Sequence, residues 1–341
     1  MPAPEGACGR IAGLTWNRNA FPAPAAGSAM TRVVSQSAGP GSALTGTEDA
    51  FRLYETIRPR LPAAGPPGAA LALPSLEEVA DHVDGFLLDA YGVLNVGNRP
   101  IPGVPERLRS LRGRGKRLIV LTNAASFTRP QLIAKYASLG FDFAPQDVIA
   151  SRDIAAARMA QIAPGAHWAA ISAEGDRFDD IPACVTDALD DPSALDHADA
   201  LLFLSTARWN DHLQDRLIRA LERRPRPLVI ANPDVMAPHE HGLTIEPGLY
   251  GHLLLDRLPD LPVTWIGKPF ADIFQAGIRQ AGIEAGRLAM VGDTLHTDVL
   301  GGSAAGCRTV LATLHGVFRG MDVAPFIGAS GLAPDFVIPS P

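Results

Sequence analysis

The chain is poor in features that would mark it as specialised. Among its 341 residues there are three cysteines, Cys8, Cys184 and Cys307, far apart and without CxxC or zinc-finger spacing. That argues against a disulfide scaffold or a zinc module and fits a reducing compartment, with Cys184 and Cys307 as small core residues. No apolar run approaches the ~20 residues a membrane-spanning helix needs. The N-terminus lacks a basic region followed by an apolar one, so a secretory signal is not expected. A net charge of -6 gives no electrostatic reason to expect a nucleic acid partner. No tandem repeat is visible. These absences leave a soluble, cytoplasmic, globular protein, long enough for two domains.

What is present divides unevenly. Residues 1–74 are rich in Ala, Pro, Gly and Ser, with clusters such as Pro22-Ala23-Pro24 and Pro66-Pro67-Gly68. Such a stretch buries little, so a largely disordered, low-complexity extension is expected, with one short helix near Thr47–Ile57. From residue 75 an α/β pattern begins. Ser75-Leu76-Glu77-Glu78 has the form of a capping box. Phe86-Leu87-Leu88 then reads as a buried strand that stops abruptly at Asp89 and turns at Gly92. A helix over Val104–Arg114 and a second apolar strand, Arg117–Leu121, ending in Thr122-Asn123, imply a right-handed parallel crossover. A helix over Pro130–Leu139 and a short strand at Asp147–Ser151 follow.

Near Pro164 the pattern starts afresh, with strands at His167–Ile171, Ala200–Leu204 and Leu228–Ile230 and a helix over Asn210–Leu221. The earlier pattern resumes with a strand at Val263–Ile266 leading into Gly267-Lys268-Pro269, and a helix over Ala271–Gln280. Leu288–Gly292 runs into Asp293, Asp298–Ala305 reads as helical, and Thr309–Ala312 and Phe336–Ile338 as strands. The expected fold is α/β: a doubly wound parallel-sheet core at 75–160 and 262–341, interrupted by an α/β cap at 161–261.

Buried parallel strands present functional side chains at their carboxyl ends. Four such ends carry Asp89, Thr122-Asn123, Lys268 and Asp293, the last followed by Asp298. Each has a plain reading alone: a turn residue, a helix cap, a solvated lysine, another cap. Together they suit phosphoryl transfer, in which an aspartate attacks phosphorus and positive charge steadies the equatorial oxygens. Several carboxylates without a soft ligand suit a hard cation such as Mg²⁺.

In order and content these segments resemble the haloacid dehalogenase superfamily of aspartate-nucleophile hydrolases, from about residue 80 to about 320. LTNAAS (121–126), IANPD (230–234), IGKP (266–269) and VGDTLHTD (291–298) are similar to its class IIA phosphatases, whose cap is of the inserted α/β type. The resemblance implies a Mg²⁺-dependent phosphatase acting on a small phosphorylated metabolite. It makes Asp89 the nucleophile and a metal ligand, and has Thr122 and Asn123 hold the phosphoryl group. Lys268 would neutralise nucleophile and phosphate; Asp293 and the backbone carbonyl of Tyr91 would also bind the metal, with Asp298 an outer acid. His296 is expected at the surface or behind the metal ligands. Class IIA enzymes often dimerise through the cap.

One position departs from the pattern. Phosphatases of this kind usually read Asp-x-Asp, the second acid protonating the leaving oxygen and then activating water; here that place is held by Tyr91. Loss of a positioned acid/base commonly removes about 10²–10⁴-fold of rate, most severely for poor leaving groups. Two other readings follow: a phospholigand-binding protein with little or no catalysis, and a 2-haloacid dehalogenase, whose first motif also resembles Asp-Ala-Tyr-Gly. Substrate choice is expected from cap residues Arg208, Trp209, Asn232, Asp234, His239 and His241, with Asn232-Pro233-Asp234 resembling the family's substrate loop.

Overall fold

The computed structural model describes residues 46–239 and 242–341. The larger sheet has seven parallel strands, in spatial order Leu71–Ala72, Phe336–Ile338, Arg308–Ala312, Leu288–Gly292, Gly85–Leu88, Arg117–Thr122 and Val148–Ala150. Gly85–Leu88 lies between the strand that follows it and one arriving some 200 residues later, so the winding reverses at its edge. That reversal is where an open α/β sheet leaves a crevice at its carboxyl ends. The strand is apolar throughout because both its faces are covered. Phe86 and Leu88 pack with Val104, Leu108 and Leu111 on one face, and Leu87 packs with Ile273, Phe274 and Met290 on the other.

The second sheet is a five-stranded parallel one, in order Val263–Trp265, Leu228–Ile230, Ala200–Phe203, His167–Ile171 and Cys184–Asp187. The expected strand at Val263–Ile266 therefore exists but belongs to this sheet and not to the core, pairing Val229 with Thr264. The helix Ser151–Ile162 also crosses the expected boundary, burying Ala155 and Met159 with Trp168 and Leu202 of the second sheet. Cys307 is buried as expected, whereas Cys184 is exposed on the outermost strand.

Beside this sheet stands an antiparallel hairpin, Met236–His239 with Gly242–Ile245, followed by the helix Pro247–Arg257. Neither was evident in the sequence.

The largest correction concerns the extension, whose residues 1–45 lie outside the described part. Residues 46–74 are built into the fold. The helix Thr47–Ile57 was expected; it presents Ala50, Leu53, Tyr54 and Ile57 on one face, the spacing of an amphipathic helix, and packs them on Val235, Met236 and Leu249. Its Phe51 joins Leu295, Val299 and Phe318 on the core side. Farther on, Ala70 and Leu71 donate backbone hydrogen bonds to Pro334 and Asp335, extending the large sheet by one strand. The Ala/Pro-rich composition hid this because backbone pairing needs no apolar side chain. At Ser75 the hydroxyl accepts from the Glu77 N–H and donates to the Glu78 carboxylate at 2.6 Å, a variant of the expected box.

Candidate active site

Asp89 leaves the Gly85–Leu88 strand with its N–H still bonded to the Val291 carbonyl, so its side chain is fixed at the sheet edge. Its Oδ1 accepts from Ala90 N–H at 2.7 Å and lies 2.5 Å from Lys268 Nζ. The chain then turns through Gly92 at φ +78°, where an added Cβ would sit 2.4 Å from Asp293 Oδ2; only glycine lets the turn approach so closely. From the neighbouring strand, Asp293 receives the Thr294 hydroxyl at 2.9 Å and the Val317 N–H at 2.8 Å.

Lys268 is 2 % exposed and bridges two acids, its Nζ lying 2.7 Å from Asp298 Oδ1 as well as against Asp89. Burial alone would pull its ammonium down, but the Asp298, Asp89 and Asp234 carboxylates outweigh that and hold it above its ordinary value. The lysine arrives from the edge strand of the second sheet. Asn123 splices it to the core, its Oδ1 accepting from Lys268 N–H at 2.8 Å and its Nδ2 donating to the Lys268 carbonyl and to Asp234 Oδ1. Gly267, at φ +124°, makes room for that amide, since a Cβ there would lie 2.5 Å from Asn123 Oδ1. The Asn123 side chain is thus fully engaged with protein. Thr122 is buried beside it, its Oγ1 accepting from Ala124 N–H.

Ligand oxygens of Asp89, Asp293 and Asp298 lie within 4.8 Å of one another, all three residues buried. Burial pushes the Asp89 carboxyl up against the pull of Lys268, and burial with the Asp89 and Asp298 charges pushes Asp293 up. Among the described residues, the single charge of Lys268 is paired with two of these acids, Asp89 and Asp298. An all-oxygen set with surplus buried negative charge fits a hard divalent cation, and Asp298 is committed to Lys268 and to the Thr294 N–H at 3.1 Å.

Above this floor opens a cavity of about 600 Å³, reaching from Asp89 and Asp293 to Asn232, Asp234 and Glu246 on the cap side. Asn232 holds its own loop, its Oδ1 accepting from Asp234 N–H and its Nδ2 donating to Glu246 at 2.9 Å. Burial pushes Asp234 well up, and likewise raises Glu246 to about 7.

Tyr91 also lines the cavity. Its phenol oxygen accepts from Lys135 Nζ at 3.0 Å, the same ammonium lying 4.6 Å above its ring. Burial and the charges of Glu246 and Asp89 push that phenol up to about 12, while burial lowers Lys135 to about 8.

Some expected residues lie elsewhere. Arg208 is absorbed by the cap, its guanidinium 2.5 Å from Asp187 and 2.7 Å from Asp190, and it does not line the cavity. Trp209 is buried in the cap core, its Nε1 donating to Gln214. His241 falls outside the described residues, as does the side chain of His239. His296 is buried, not at the surface: it stacks on Tyr54 at 4.8 Å and bonds Glu55 at 2.6 Å, and burial lowers it to about 4. Glu246 and Lys135 were missed. A glutamate before a proline, and a lysine on an amphipathic helix, carry no signal of a site until the fold brings them to one.

Comparison with known proteins gives this arrangement a lineage. A family profile described as haloacid dehalogenase-like hydrolase matches residues 86–179, and a second hydrolase profile of the same kind matches residues 265–340. Human chronophin (Homo sapiens) is 31% identical over 281 residues, covering 78% of this chain and 93% of its own. Glycerol-3-phosphate phosphatase of Gallus gallus is 32% identical over 290 residues, covering 77% and 91%. Among solved structures, a possible sugar phosphatase from Cytophaga hutchinsonii superposes with a TM-score of 0.70 at 25% identity, over 80% of this chain and 98% of that one. A p-nitrophenyl phosphatase from Archaeoglobus fulgidus gives 0.63 at 27%, over 76% and 96%. With the sheet reversal, the lysine-bridged aspartates and the inserted second sheet already described, the chain belongs to the haloacid dehalogenase-like hydrolases, in their class IIA phosphatase branch.

Proposed function

We propose that the protein is a Mg²⁺-dependent phosphatase that hydrolyses a small phosphate monoester, working in the cytoplasm through an aspartyl-phosphate intermediate. The observation that carries this reading is Lys268 Nζ seated between Asp89 and Asp298, with Asp89 itself lining an open cavity. A lysine so placed pulls Asp89 towards its ionised form against the effect of burial, aims it, and shields an incoming phosphoryl group from its charge. The Thr122 hydroxyl and the Asn123 backbone N–H supply donors for the equatorial oxygens. Asp89, the Tyr91 carbonyl and Asp293 would hold Mg²⁺, and Asp298 keeps Lys268 in register. The ion, when bound, neutralises phosphoryl charge during both displacements.

Asp89 forms its bond to phosphorus as the ester oxygen leaves; water then displaces Asp89 from phosphorus. A metal-free dehalogenase has no use for three buried acids around one lysine, which would leave uncompensated charge in a dry site. The test is phosphate release from aryl, acyl and alkyl phosphates, with Mg²⁺ and with EDTA, for the wild type beside Asp89→Asn. Metal-dependent release that vanishes in the variant is expected. Silence from the wild type across the panel would favour a phospholigand-binding protein, and an Asp89→Asn enzyme of unchanged rate would remove Asp89 as nucleophile.

A further inference from the structure

Tyr91 stands where the second acid of the family's first motif usually stands, so the proton for the leaving oxygen must come from another group. Four carboxylates line the cavity among the described residues: Asp89, Asp234, Glu246 and Asp293. Asp89 is the nucleophile, and Asp293 is held at the floor by Thr294 and Val317. Asp234 is tied to Asn123 and shares the field of Lys268. Glu246 remains. It ends the cap hairpin, just ahead of the helix Pro247–Arg257. Each of its oxygens accepts one neutral donor, Oε2 from Asn232 Nδ2 and Oε1 from the Thr244 hydroxyl, both at 2.9 Å. No cation is bonded to it among the described residues.

We infer that Glu246, delivered by the cap, is the general acid and base of this enzyme in place of an aspartate at position 91. The inference rests on the phosphatase reading above. Two observations favour Glu246 over its neighbours. It shares the cavity with Tyr91 and Asp89 yet is bonded only to cap residues, Asn232 and Thr244, whereas Asp234 is bonded to the Asn123 amide that also grips the Lys268 carbonyl. Burial also lets its carboxyl hold a proton near neutral pH, as a residue that must both give and take one requires. In the first displacement the Asp89–phosphorus bond forms, the ester P–O bond breaks, and the Glu246 proton passes to the departing oxygen. In the second, water attacks phosphorus and gives its proton to the Glu246 carboxylate as the Asp89–phosphorus bond breaks. Phosphate, alcohol and the starting enzyme result.

The test compares first and later turnovers of Glu246→Gln on p-nitrophenyl phosphate and on an alkyl phosphate, with Mg²⁺ present. Glutamine can accept from Asn232 Nδ2 through its amide oxygen and donate to the Thr244 hydroxyl through its amide nitrogen, but it has no acidic proton to give. p-Nitrophenolate leaves without a proton, so the variant should give a rapid burst stoichiometric with enzyme, followed by turnovers slowed about 100-fold. On the alkyl ester even the first turnover should be slowed by a similar factor. The ratio of the two first turnovers is read within one preparation, so partial misfolding does not blur it. Adding Tyr91→Asp to Glu246→Gln should restore alkyl hydrolysis, which no repair of a merely structural loss would do.

Equal slowing of first and later turnovers on the aryl ester would overturn the assignment. So would steady rates within about threefold of wild type on both esters, or the burst pattern appearing in Asp234→Asn instead. A wild type that releases phosphate from neither ester removes the phosphatase reading, and this inference with it.

Discussion

On the core side of the cavity, charge meets charge: Lys268 between Asp89 and Asp298, with Asp293 beside them. On the cap side, acids meet neutral donors: Glu246 is held by an amide and a hydroxyl, and Asp234 by the amide of Asn123. The floor hangs largely on ends of parallel strands, whose backbone bonds fix each Cα. The roof hangs on a loop and a hairpin. Coulomb interactions in a dry site are large and unforgiving, whereas single neutral hydrogen bonds are each worth about 1 kcal/mol. Changes at the floor should therefore act as switches and changes at the roof as graded adjustments. Lysine usage follows the same division. The chain has only three lysines, and two of them, Lys268 and Lys135, lie at the site while arginine makes the surface pairs. A compact ammonium fits between two carboxylates where a planar fork would not.

The strongest way to break the floor is Lys268→Met. Turnover should fall about 10²–10³-fold, and folding stability by about 3 kcal/mol, because Asp89 and Asp298 lose their common partner. Chemical denaturation beside steady-state kinetics checks both.

Removing divalent cations should expose the floor's surplus charge as a dependence on pH. Burial raises Asp89 and Asp293, so the folded, metal-free protein keeps protons that the unfolded chain releases from about pH 4 upward. Their contribution is whole below that value and drains away as pH rises through the raised ones. Melting temperature in EDTA should therefore fall from about pH 5 towards about pH 8, and Mg²⁺ should reverse the fall. A flat profile, or no response to Mg²⁺, would count against a cation at this cluster.

Tyr91→Asp sharpens the contrast at the boundary between the two sides. With Glu246 already supplying a proton, alkyl phosphate turnover should rise by less than about tenfold. A rise of several orders would mean that the cap supplies none. The smallest effect belongs to Arg208→Ala, outside the cavity: turnover should stay within about twofold while stability drops by about 1 kcal/mol, since its partners Asp187 and Asp190 are cap residues.

Asp89, Thr122, Asn123 and Asp293 were legible because a buried apolar run that ends in a polar residue marks both strand and mouth. Lys268 was legible for the wrong reason. Three residues, Val263–Trp265, cannot disclose by their own composition which sheet they join, and they join the cap. The roof was least legible. The helix Pro247–Arg257 contains Gly248, where a Cβ would lie 2.1 Å from the Pro233 carbonyl oxygen, and Gly251, where it would lie 2.8 Å from Trp265. Close packing there demands glycines, and glycines erase the helical signal.

The helix Thr47–Ile57 has one consequence for anyone trimming this gene. Its Tyr54 hydroxyl accepts from Val235 N–H at 3.2 Å, one residue past Asn232-Pro233-Asp234. Its Thr47 hydroxyl reaches the carbonyl of Val317, whose N–H holds Asp293. Eleven residues written ahead of every recognisable motif thus act as a gauge block between the two halves of the cavity, setting how far apart they stand. A shortened reading frame beginning at residue 75 would still encode all the acids and the lysine, but it would uncover Val235 and Met236 on one side and His296 on the other, and lose the spacing.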